Sequence, residues 1–524
     1  MSFPGDGQAI VILRESLMGW KDGYVADIEY VHGFYPELGP AVLNFILLLN
    51  GFEPVPLNRH FTYCELGCGL GDSLNLFAAC HPEGRFHAID CNHAHIQAAS
   101  GIAERARLSN TTFWEADFEN LGELPLPVFD FIAMHGVYSW VSAEKRRHIV
   151  EFIQRRLKPG GVVYNGYNSM PGWAANAPLR QLLTSYADTQ SGPLLERIEH
   201  SVRFVEKLKG LNLAYFNANP SAVTFFDYIS PLSRNYLAHE FFNRDWTLFY
   251  HADVAKDFAA AGLTFAGSAR FIDFKDSLRF SKPTLQLLNE ITDPVMRETL
   301  KDFAGNQQFR TDIFTLGRHP LPDCEQKELL LESRFSLLIP RETFTFEATF
   351  PIGRKQLLPE LYDPILSALE ERDHSLVELF CRPEIACLGA ANLMEAIIIL
   401  CAAEYIKPAV EPSAEAVEVA WRYNISVLER AFGTTDNQFL ASPVLQGGIP
   451  LDWIQMLLLI CELTKESEPV TFVYEYLRAN DYKLSRDSVT LESEDAIRAE
   501  LNLMIEKFST QQLPYLQRLG IVID

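Results

Sequence analysis

The sequence has no hydrophobic run long enough to cross a lipid bilayer. Its longest apolar stretches, Ala41–Leu49 and Trp453–Cys461, fall well short of the ~20 residues that a transmembrane helix needs. The first residues carry no basic region followed by an apolar segment, so no secretory signal is predicted. The nine cysteines are odd in number and scattered, which does not indicate a disulfide framework. We therefore expect a soluble protein of the reducing cytoplasm without membrane insertion.

Positive charge is also scarce. The chain has 45 lysines and arginines against 68 aspartates and glutamates, which gives a formal net charge of -23. Binding of nucleic acid needs local cations, so this balance disfavours nucleic acid as a partner. The basic run Lys145–His148 is interpreted as the solvated face of a helix, with a local functional patch as the alternative.

The sequence also lacks a conventional pattern of metal ligands. Several cysteines and histidines lie close together in the chain, namely Cys64, Cys68, Cys80, Cys91, His87, His93 and His95. Their spacing matches no common zinc pattern, and Cys68 sits inside a glycine-rich turn. No metal site is predicted.

What the chain does have is a regular alternation of strand-like and helix-like segments between about residues 61 and 167. Strands are predicted at Phe61–Leu66, Arg85–Asp90, Thr111–Trp114, Phe129–Met134 and Gly161–Asn165, and helices at Asp72–Cys80, His93–Ala106 and Ala143–Leu157. This order is typical of a parallel sheet with right-handed crossovers, so the predicted fold class is α/β with a Rossmann-like core. Ligands of such sheets bind beyond the carboxyl ends of the strands. That edge holds the glycine turn, Asp90, Asp117, His135, Tyr167 and Asn168.

The glycine-rich turn after the first of these strands indicates a nucleotide-like ligand. Gly67, Gly69 and Gly71 lie in it, and residues without a Cβ let the backbone approach a ligand closely. The spacing departs from the dinucleotide fingerprint G-x-G-x-x-G, because Asp72 stands where the third glycine would be. The carboxylates of Glu65 and Asp72 would compete with a pyrophosphate at the start of the next helix. A ligand with a sulfonium and no phosphate fits better, which favours S-adenosylmethionine over NAD or ATP.

Four stretches resemble the motifs of class I S-adenosylmethionine-dependent methyltransferases. They are Glu65–Gly71, Glu115–Phe118, Phe129–Trp140 and Leu157–Gly161. Asp90 matches the ribose-binding acid of that family, and an acid about 20 residues after the glycine turn suits a pair of ribose hydroxyls. The resemblance implies that Asp117 binds the adenine amino group and that Phe118 flanks the ring, with a helix N-cap and a core residue as their alternatives. Glu65, the three glycines and His135 complete the implied cofactor site.

A narrower resemblance is to bacterial methyltransferases that carry a methyltransferase regulatory domain. It rests on His135–Trp140, Tyr167–Trp173, Tyr236–Asn243, Trp246, Ala261–Leu263 and Ala441–Leu445. This group includes enzymes that methylate lysines of outer-membrane proteins, which implies a protein lysine amine as the methyl acceptor. Tyr35-Pro36 stands where the lysine-methylating members are expected to have a His-Pro pair. Methylation of a sugar or small metabolite, and a cofactor-binding scaffold without catalysis, therefore stay open as alternatives.

Methyl transfer from a sulfonium is an in-line displacement in which the protein aligns the acceptor and excludes water. An acceptor lysine must first lose a proton, against a free pKa near 10.4, so a neighbouring group that takes the proton is a reasonable expectation. The candidate catalytic side chains are His135, Tyr138 and Tyr167. The candidate lid and substrate-contacting side chains are Tyr30, His32 and Asn168. For each of them, packing or ordinary hydrogen bonding is the alternative.

The chain is too long for one hydrophobic core, and five segments are predicted. Residues 1–50 form a helical arm that covers the ligand as a lid or packs as an N-terminal arm. Residues 51–175 form the methyltransferase core, 176–290 an insertion with a return to the core sheet, 291–412 a middle α+β region in which a winged helix is one interpretation, and 413–524 a helical C-terminal region. A chain that ends near residue 290 is expected to keep a cofactor-binding core. The expected partner is a protein or another bulky methyl acceptor, and a homodimer is one alternative for the oligomeric state.

Overall fold

Within residues 10–12, 32–431, 438–486 and 489–523, which this computed structural model describes, the fold is built around a mixed β-sheet of eight strands. The strands are β1 (Ile10–Ile12), β2 (Phe61–Leu66), β3 (Gly84–Asp90), β4 (Thr111–Glu115), β5 (Phe129–His135), β6 (Leu157–Asn168), β7 (Leu263–Ser268) and β8 (Phe309–Leu316). Their order across the sheet is β1-β4-β3-β2-β5-β6-β8-β7. Strands β1 to β6 run parallel, and β8 is antiparallel to both of its neighbours.

Helices cover both faces of this sheet, as the predicted alternation requires. The helices of this part are α1 (Pro40–Leu49), α2 (Asp72–Cys80), α3 (His93–Ala106) and α4 (Ala143–Arg156). Successive residues of β2 point to opposite faces, so Tyr63 packs with the core that includes α1, α2 and α3, whereas Cys64 packs with the core that includes α4. Burial on both faces explains why the strands read as nearly continuous apolar runs. The predicted α/β, Rossmann-like fold is confirmed.

Side-chain caps set where two of these helices begin. The Asn92 side chain accepts a hydrogen bond from the Ala94 backbone N–H at the start of α3, and the Ser142 hydroxyl accepts one from Lys145 at the start of α4. Such caps satisfy backbone donors that have no partner within the helix. Both helices therefore begin directly after a strand or strand-end loop, which keeps the carboxyl edge of the sheet compact.

A helical insertion follows β6 and carries the chain back to the sheet. Its helices are α5 (Ala177–Asp188), α6 (Leu194–Lys209), α7 (Ala214–Ala218), α8 (Pro220–Ile229) and α9 (Arg234–Phe241), and they share a hydrophobic cluster of their own. Then α10 (His251–Ala259) leads into β7. The predicted helix–glycine–strand return to the sheet is confirmed, because β7 is part of the sheet.

The predicted domain boundary at residue 290 is wrong. After α11 (Phe271–Phe274), α12 (Lys282–Glu290) and α13 (Pro294–Gly305), strand β8 enters the sheet between β6 and β7. The core therefore extends to Leu316, and β7 reaches the rest of the sheet only through β8. The sequence pattern did not indicate this strand, because two of its buried residues, Arg310 and Asp312, are charged. In the structure these two side chains pair with each other at 2.8 Å.

The middle region contains short strands and helices. They are α14 (Asp323–Glu332), β9 (Arg334–Leu337), β10 (Glu347–Phe350), β11 (Gly353–Gln356), α15 (Pro359–Glu371), β12 (His374–Ser375), α16 (Leu376–Phe380), α17 (Pro383–Ala386), α18 (Ala390–Ala402) and β13 (Ile406–Ala409). Strand β9 lies between β12 and β13, and β10 pairs with β11. The winged-helix interpretation of this region stays a prediction.

The C-terminal region is mainly helical and packs directly on the core. Its elements are α19 (Ala414–Arg430), β14 (Gln438–Ser442), β15 (Gly447–Leu451), α20 (Trp453–Thr464), α21 (Pro469–Ala479), β16 (Ser485–Arg486), β17 (Val489–Thr490), α22 (Glu494–Lys507) and α23 (Leu513–Arg518). Helix α19 packs against α2 and α3, and the β14–β15 hairpin packs against α2. Over the described ranges, no helix is both long and apolar enough to span a membrane.

Candidate active site

A cavity of about 350 Å³ opens at the carboxyl edge of the sheet, where the sequence predicted the ligand. Its walls come from the glycine turn, from the ends of β3 to β6, from residues 33–35 and from α9 with the turn that follows it. Because the strands lie side by side in the order given above, the two ends of the cavity are lined by different strands. Asp90 and Asp117 stand at one end, beside β3 and β4, and His135 and Asn168 stand at the other, beside β5 and β6.

The glycine turn needs its glycines for reasons internal to the protein as well as for ligand approach. Gly67 and Gly71 have positive φ angles of 71° and 74°, a region that disfavours side chains. A Cβ on Gly67 would lie 2.4 Å from Cγ2 of Val137, and one on Gly71 would lie 2.5 Å from Cβ of Ala99. Close packing of the turn against β5 and α3 therefore excludes side chains there, which the sequence analysis attributed to the ligand alone.

Asp90 fixes the floor of the cavity. Its buried carboxylate accepts hydrogen bonds from the backbone N–H groups of Gly69 at 2.9 Å and Asn92 at 2.8 Å, and it lies 3.3 Å from Nδ1 of His95. These bonds tie the glycine turn to the start of α3 and set the orientation of the carboxylate. The acid at the end of β3 is therefore held ready to accept hydrogen bonds from a pair of hydroxyls.

His95 is a pocket residue that the sequence analysis missed. Its ring is almost fully buried and lines the cavity, and its Nε2 atom has no hydrogen-bond partner. With Nδ1 directed at Asp90, Nε2 is the atom left to meet a ligand. The available signal was its position five residues after Asp90, within the first turn of the predicted helix.

Glu65 is the most perturbed carboxyl in this cavity. Its side chain is buried, and its Oε2 atom has no hydrogen-bond partner. Burial, together with the negative charges of Asp90 and Asp72, raises the pKa of Glu65 to about 8. A bound ammonium group would supply both the missing hydrogen bond and the missing counter-charge.

Asp117 and Phe118 lie at the far end of the cavity. The Asp117 carboxylate accepts a hydrogen bond from the Glu119 backbone N–H at 3.2 Å and pairs with Nζ of Lys145 at 2.6 Å. The N-cap alternative for Asp117 is therefore confirmed, and its contact with an adenine amino group stays a prediction. Phe118 is buried and also forms part of the cavity wall, so its interpretation as a core residue is confirmed, and its contact with the adenine ring stays a prediction.

The charge balance of the cavity fits a cationic ligand. Six acidic side chains line it, and four of them, Glu65, Asp72, Asp90 and Asp117, lie in or beside the glycine turn and at the ends of β3 and β4. Among the described lining residues, Lys145 is the one lysine or arginine, and it is paired with Asp117. A polyphosphate would meet repulsion here, whereas the sulfonium and ammonium groups of S-adenosylmethionine would be attracted. Glu65, the glycine turn and Asp90 are the residues that would hold it.

His135 lies at the end beside β5 and is held by aromatic neighbours. Its ring stacks on Tyr35 with 4.0 Å between centroids, and its Nδ1 lies 2.8 Å from the hydroxyl of Tyr164. Burial lowers the pKa of His135 to about 3. The imidazole is therefore neutral at physiological pH and is a weak proton acceptor, so the structure supports positioning more than general-base catalysis.

The structure does not bring Tyr138 and Tyr167 to the cavity. Both side chains are buried in the core on the α4 face of the sheet, where the Tyr138 hydroxyl donates to Asp257 at 2.9 Å and the Tyr167 hydroxyl donates to Asp312 at 2.6 Å. Burial raises the pKa of both phenols. Neither side chain lines the cavity, so their predicted catalytic role is corrected to a structural one. Tyr167 lies on β6, where the alternation of side chains turns it to the α4 face, and Tyr138 lies in the turn after β5.

The segment before α1 contacts the glycine turn and the start of α2, which agrees with both the lid and the packed-arm interpretations. Nδ1 of His32 lies 2.8 Å from the Asp72 carboxylate, and the Tyr35 backbone N–H donates to the Ser73 hydroxyl at 3.0 Å. His32 is exposed and contacts the turn from outside, whereas Tyr35 is part of the cavity wall. Tyr30 lies outside the described residues. Asn168 lines the cavity, with its backbone N–H bonded to the Ser139 hydroxyl at 2.9 Å.

The roof of the cavity comes from α9 and the turn after it. This stretch is part of the predicted regulatory-domain resemblance, but none of its side chains was predicted to line the site. The residues that line the cavity are Tyr236, His239, Glu240, Asn243 and Asp245. His239 lies near His95, with ring centroids 6.2 Å apart, so the roof meets the floor above the carboxylate of Asp90.

Aromatic stacking holds this roof on the core. Trp246, directly after the roof, stacks on Trp140 from the loop after β5 with 6.0 Å between centroids. The Arg180 guanidinium lies 4.3 Å from the Trp246 ring centroid and donates a hydrogen bond to the Asn243 carbonyl. The insertion is therefore an integral part of the site.

Comparisons with known proteins agree with this geometry. The family model "Methyltransferase domain" matches residues 64–163, and the model "Predicted methyltransferase regulatory domain" matches residues 233–315. An uncharacterized Synechocystis protein, sll1526, is 37% identical over 506 residues, which span 96% of this chain and 100% of that protein. A trans-aconitate 2-methyltransferase of Paracidovorax citrulli is 30% identical over 109 residues, 21% of this chain and 39% of that enzyme.

A solved structure shares the fold over nearly the whole length. PKMT2 from Rickettsia typhi, in complex with AdoHcy, superposes with a TM-score of 0.68 at 19% identity, covering 94% of this chain and 99% of that one. The arrangement of a core sheet, an insertion and a packed C-terminal half is therefore found in a known protein. The glycine turn, the ribose-site acid, the two matching family models and the full-length relative agree with one another. The chain belongs to the class I S-adenosylmethionine-dependent methyltransferases that carry a methyltransferase regulatory domain.

Proposed function

We propose that this methyltransferase transfers the methyl group to a lysine side-chain amine of a protein acceptor. The observation that carries the proposal is the composition of the cavity wall outside the glycine turn and the ends of β3 and β4. Four aromatic rings and two acidic side chains are part of that wall, namely Tyr35, Trp140, Tyr236, Phe309, Glu240 and Asp245. Carboxylates attract an ammonium group, and aromatic faces stabilise it when it loses water.

Several of these groups lie close to one another. Tyr35 stacks on His135, and Phe309 lies against the other side of that imidazole, with centroids 5.1 Å apart. Burial raises the pKa of the Tyr236 phenol, and the charge of Glu240 raises it further, so Tyr236 stays protonated and able to donate a hydrogen bond. The aromatic rings of the wall can thus pack against the methylene chain of a lysine, and its acidic groups can attract the lysine ammonium group.

The reactive form of the acceptor is the neutral amine. His135 is a poor recipient of the proton because burial lowers its pKa to about 3. The ammonium therefore loses its proton to water or to a carboxylate of the wall before it is aligned with the methyl group. The chain's remaining contribution is to orient the amine and to exclude water once it is in place.

An acidic small-molecule acceptor is disfavoured by the same wall. The Paracidovorax relative is named for trans-aconitate, which is a carboxylate, and a carboxylate would meet Glu240 and Asp245 here. The formal net charge of -23 likewise suits a basic protein segment better than an anion. PKMT2, whose fold this chain shares, extends over a comparable length, which is consistent with a large acceptor.

Transfer of label from methyl-labelled S-adenosylmethionine to a cell lysate tests the proposal. We expect the label in protein, and peptide mass spectrometry should place it on lysine. Two variants provide controls. The Gly69 and Asn92 N–H groups donate to different oxygens of Asp90, so Asp90→Asn keeps an acceptor for one of the two; it should weaken cofactor binding and lower stability without unfolding the chain. Glu240→Gln should raise KM for the acceptor and leave the affinity for S-adenosylhomocysteine unchanged.

Each alternative gives a different result in that experiment. Label in small molecules or glycan alone would contradict a protein acceptor and support methylation of a sugar or metabolite. Tight binding of S-adenosylhomocysteine with no label in any fraction would support a cofactor-binding scaffold. Label on glutamine or arginine rather than lysine would contradict the amine assignment while keeping the enzyme class.

A further inference from the structure

A second cavity, of about 380 Å³, lies within the regulatory domain and is separate from the methyl-transfer site. It is enclosed by the end of β7, the start of β8, helix α13 and residues 273–279, with Asn50 and Phe52 completing the wall. Apart from those two residues, its lining falls between residues 265 and 312, inside the match to the regulatory domain. We call it the polar cavity.

The walls of the polar cavity are strongly charged. Arg310 pairs with Asp302 at 2.5 Å, with Asp312 at 2.8 Å and with Glu298 at 2.9 Å. Lys301 pairs with Asp276 at 3.1 Å and with Glu298 at 2.9 Å. Groups of this kind are costly to bury and are retained only where each charge is well compensated.

Each lining carboxylate has an ion-pair partner, and His251, outside the wall, also pairs with Asp312 at 2.9 Å, but not every carboxylate oxygen has a hydrogen-bond donor. Among the described residues, the lining carboxylates are Asp273, Asp276, Glu298, Asp302 and Asp312, and the lining cations are Arg279, Arg297, Lys301 and Arg310. Asp302 is 1% exposed, and its Oδ2 atom has no hydrogen-bond partner. Burial raises the pKa of Asp302 to about 6, against the opposing effect of Arg310. A buried carboxylate oxygen without a donor is costly, so this wall offers a place for a hydrogen-bond donor that carries positive charge.

Aromatic rings complete the chemistry of this wall. Phe52, Phe265 and Phe274 line the polar cavity together with the carboxylates. A carboxylate next to aromatic faces is the combination that proteins use for alkylammonium groups. The volume is many times that of one water molecule, which occupies ~30 Å³ in the liquid, so the cavity has room for several non-hydrogen atoms.

We propose that the polar cavity is a binding site for a small aliphatic ammonium compound, whose ammonium group donates to Oδ2 of Asp302 while its methylene chain packs on the phenylalanine rings. The site differs from the acceptor site in its residues and lies on the other side of β8. Phe309 lines the methyl-transfer cavity, and the next residue, Arg310, lines the polar cavity. A ligand there would contact a network that includes the Tyr167 hydroxyl through Asp312 and would thus stand close to the acceptor end.

Calorimetric titration of the full-length protein with 1,5-diaminopentane tests the site, with 1,5-pentanediol as a neutral probe of the same length. S-adenosylhomocysteine is held at saturation in every titration. We expect the diamine to bind and the diol not to bind. Asp302→Asn should weaken diamine binding about tenfold or more, as loss of a charge-assisted hydrogen bond does. Glu240→Gln, which alters the acceptor wall, and Glu328→Gln, which alters an exposed helix position, should leave this binding unchanged.

A second variant keeps the test decisive if Asp302→Asn fails to fold. Phe274→Leu retains every charge of the network and removes one aromatic face, and it should weaken diamine binding several-fold without changing the affinity for S-adenosylhomocysteine. The proposal is overturned if the diamine does not bind the wild-type protein, or if its binding ignores both Asp302→Asn and Phe274→Leu. It is equally overturned if binding responds only to Glu240→Gln, because that result would place the amine in the acceptor cavity.

Discussion

Glu65 is a residue whose ionised side chain lowers the stability of the ligand-free protein and favours the binding of a cationic ligand. The carboxyl is buried beside two other acids, and its pKa is raised to about 8 from an ordinary value of 4.5. The folded chain therefore holds a proton on Glu65 that the unfolded chain releases above pH 4.5. This contribution to stability is fully present below pH 4.5 and is lost as the pH rises through about 8.

The first prediction concerns the affinity for S-adenosylhomocysteine. In wild type, the affinity should rise from about pH 6 upward, because Glu65 must lose its proton to pair with the ligand's ammonium group. The rise should end near pH 8, where the ligand's α-amino group, a type of group that ordinarily titrates at about pH 7.7–8.0, loses its own proton. Glu65→Gln should remove this pH dependence and weaken binding by about 10- to 100-fold at pH 8, the loss of ~1.5–3 kcal/mol from one charged hydrogen bond. Calorimetry in buffers of different ionisation enthalpy measures both effects.

Thermal unfolding of the ligand-free variant supplies the control. Since glutamine resembles the protonated acid, Glu65→Gln should be more stable than wild type at pH 8 and nearly equal to it at pH 5. A wild-type affinity that stays flat from pH 6 to 8 would contradict the role of Glu65, and so would a variant that loses stability at pH 8.

At the scale of elements, the glycine turn between β2 and α2 is set by its neighbours as much as by its ligand. Gly67 combines a left-handed backbone with a contact that leaves no room for a side chain beside Val137. The Gly69 N–H in this turn donates a hydrogen bond to Asp90 and so positions the Asp90 carboxylate. The roof from α9 and the lid segment at residues 33–35 close over this turn from two sides. The cavity is therefore the product of four separate elements.

The second prediction separates the two constraints on the turn. Gly67→Ala should destabilise the protein by about 2–4 kcal/mol, because it adds a steric clash to the cost of the left-handed backbone, and it should abolish measurable cofactor binding. Gly317→Ala is the matched control, since Gly317 also has a positive φ, of 60°, but a Cβ there meets nothing within 4 Å. Its cost should be about 1 kcal/mol, with normal binding. Chemical denaturation measures both values, and equal costs for the two variants would contradict the role of Val137.

At the scale of the whole molecule, the C-terminal half is packed on the catalytic core and does not form a separable appendage. Phe34 of the lid segment packs against Phe439 with 5.3 Å between ring centroids. A Cβ on Gly448 would come within 2.8 Å of both Phe34 and Leu76, which shows how closely the β14–β15 hairpin approaches α2. Helix α19 lies against α2 and α3, so the hydrophobic core that contains the glycine turn's helix continues into the last hundred residues.

The third prediction replaces the expectation that a chain ending near residue 290 keeps its cofactor site. Such a chain lacks β8, so β7 loses its only neighbour in the described sheet and β6 becomes an exposed edge. We expect it to aggregate or to lack cooperative unfolding. A chain ending at residue 320 retains β8 and is the matched comparison; it should keep more native-like secondary structure but remain less stable than the full chain, because the face of α2 is uncovered. Cofactor binding by the 290-residue chain at full affinity would contradict this account.

Much of the fold follows from local sequence. The strands and helices between residues 61 and 167 were predicted within a few residues of their observed bounds, because each one has an apolar pattern of the right period and a turn at its end. Sequence failed where the pattern was broken by charge. Arg310 and Asp312 lie in a buried strand, and their pairing with each other and with Asp302, Glu298 and His251 makes that burial tolerable. No local signal reveals such pairing.

The residues of the site likewise fall into those that the sequence predicted and those that it did not. Glu65, Gly67, Gly69, Gly71, Asp90 and Asp117 all line the cavity, as their motif positions predicted. Tyr138 and Tyr167 were placed at the correct sheet edge but on the wrong face, since the direction of a side chain near a strand end depends on register and twist. His95 and the α9 roof carried no motif that named a role. They became visible only where the insertion folds back over the glycine turn.

The sequence by itself determined the class of cofactor and the parallel core, because both depend on residues that are close together in the chain: a strand, a glycine turn, a helix and an acid at the next strand end. The tertiary structure alone decided which side chains meet the acceptor and which charges are buried together. Tyr167 and Asp312 are separated by 145 positions and yet share a hydrogen bond. Contacts of that kind arise from the packing of distant segments, and local propensity contains no information about them.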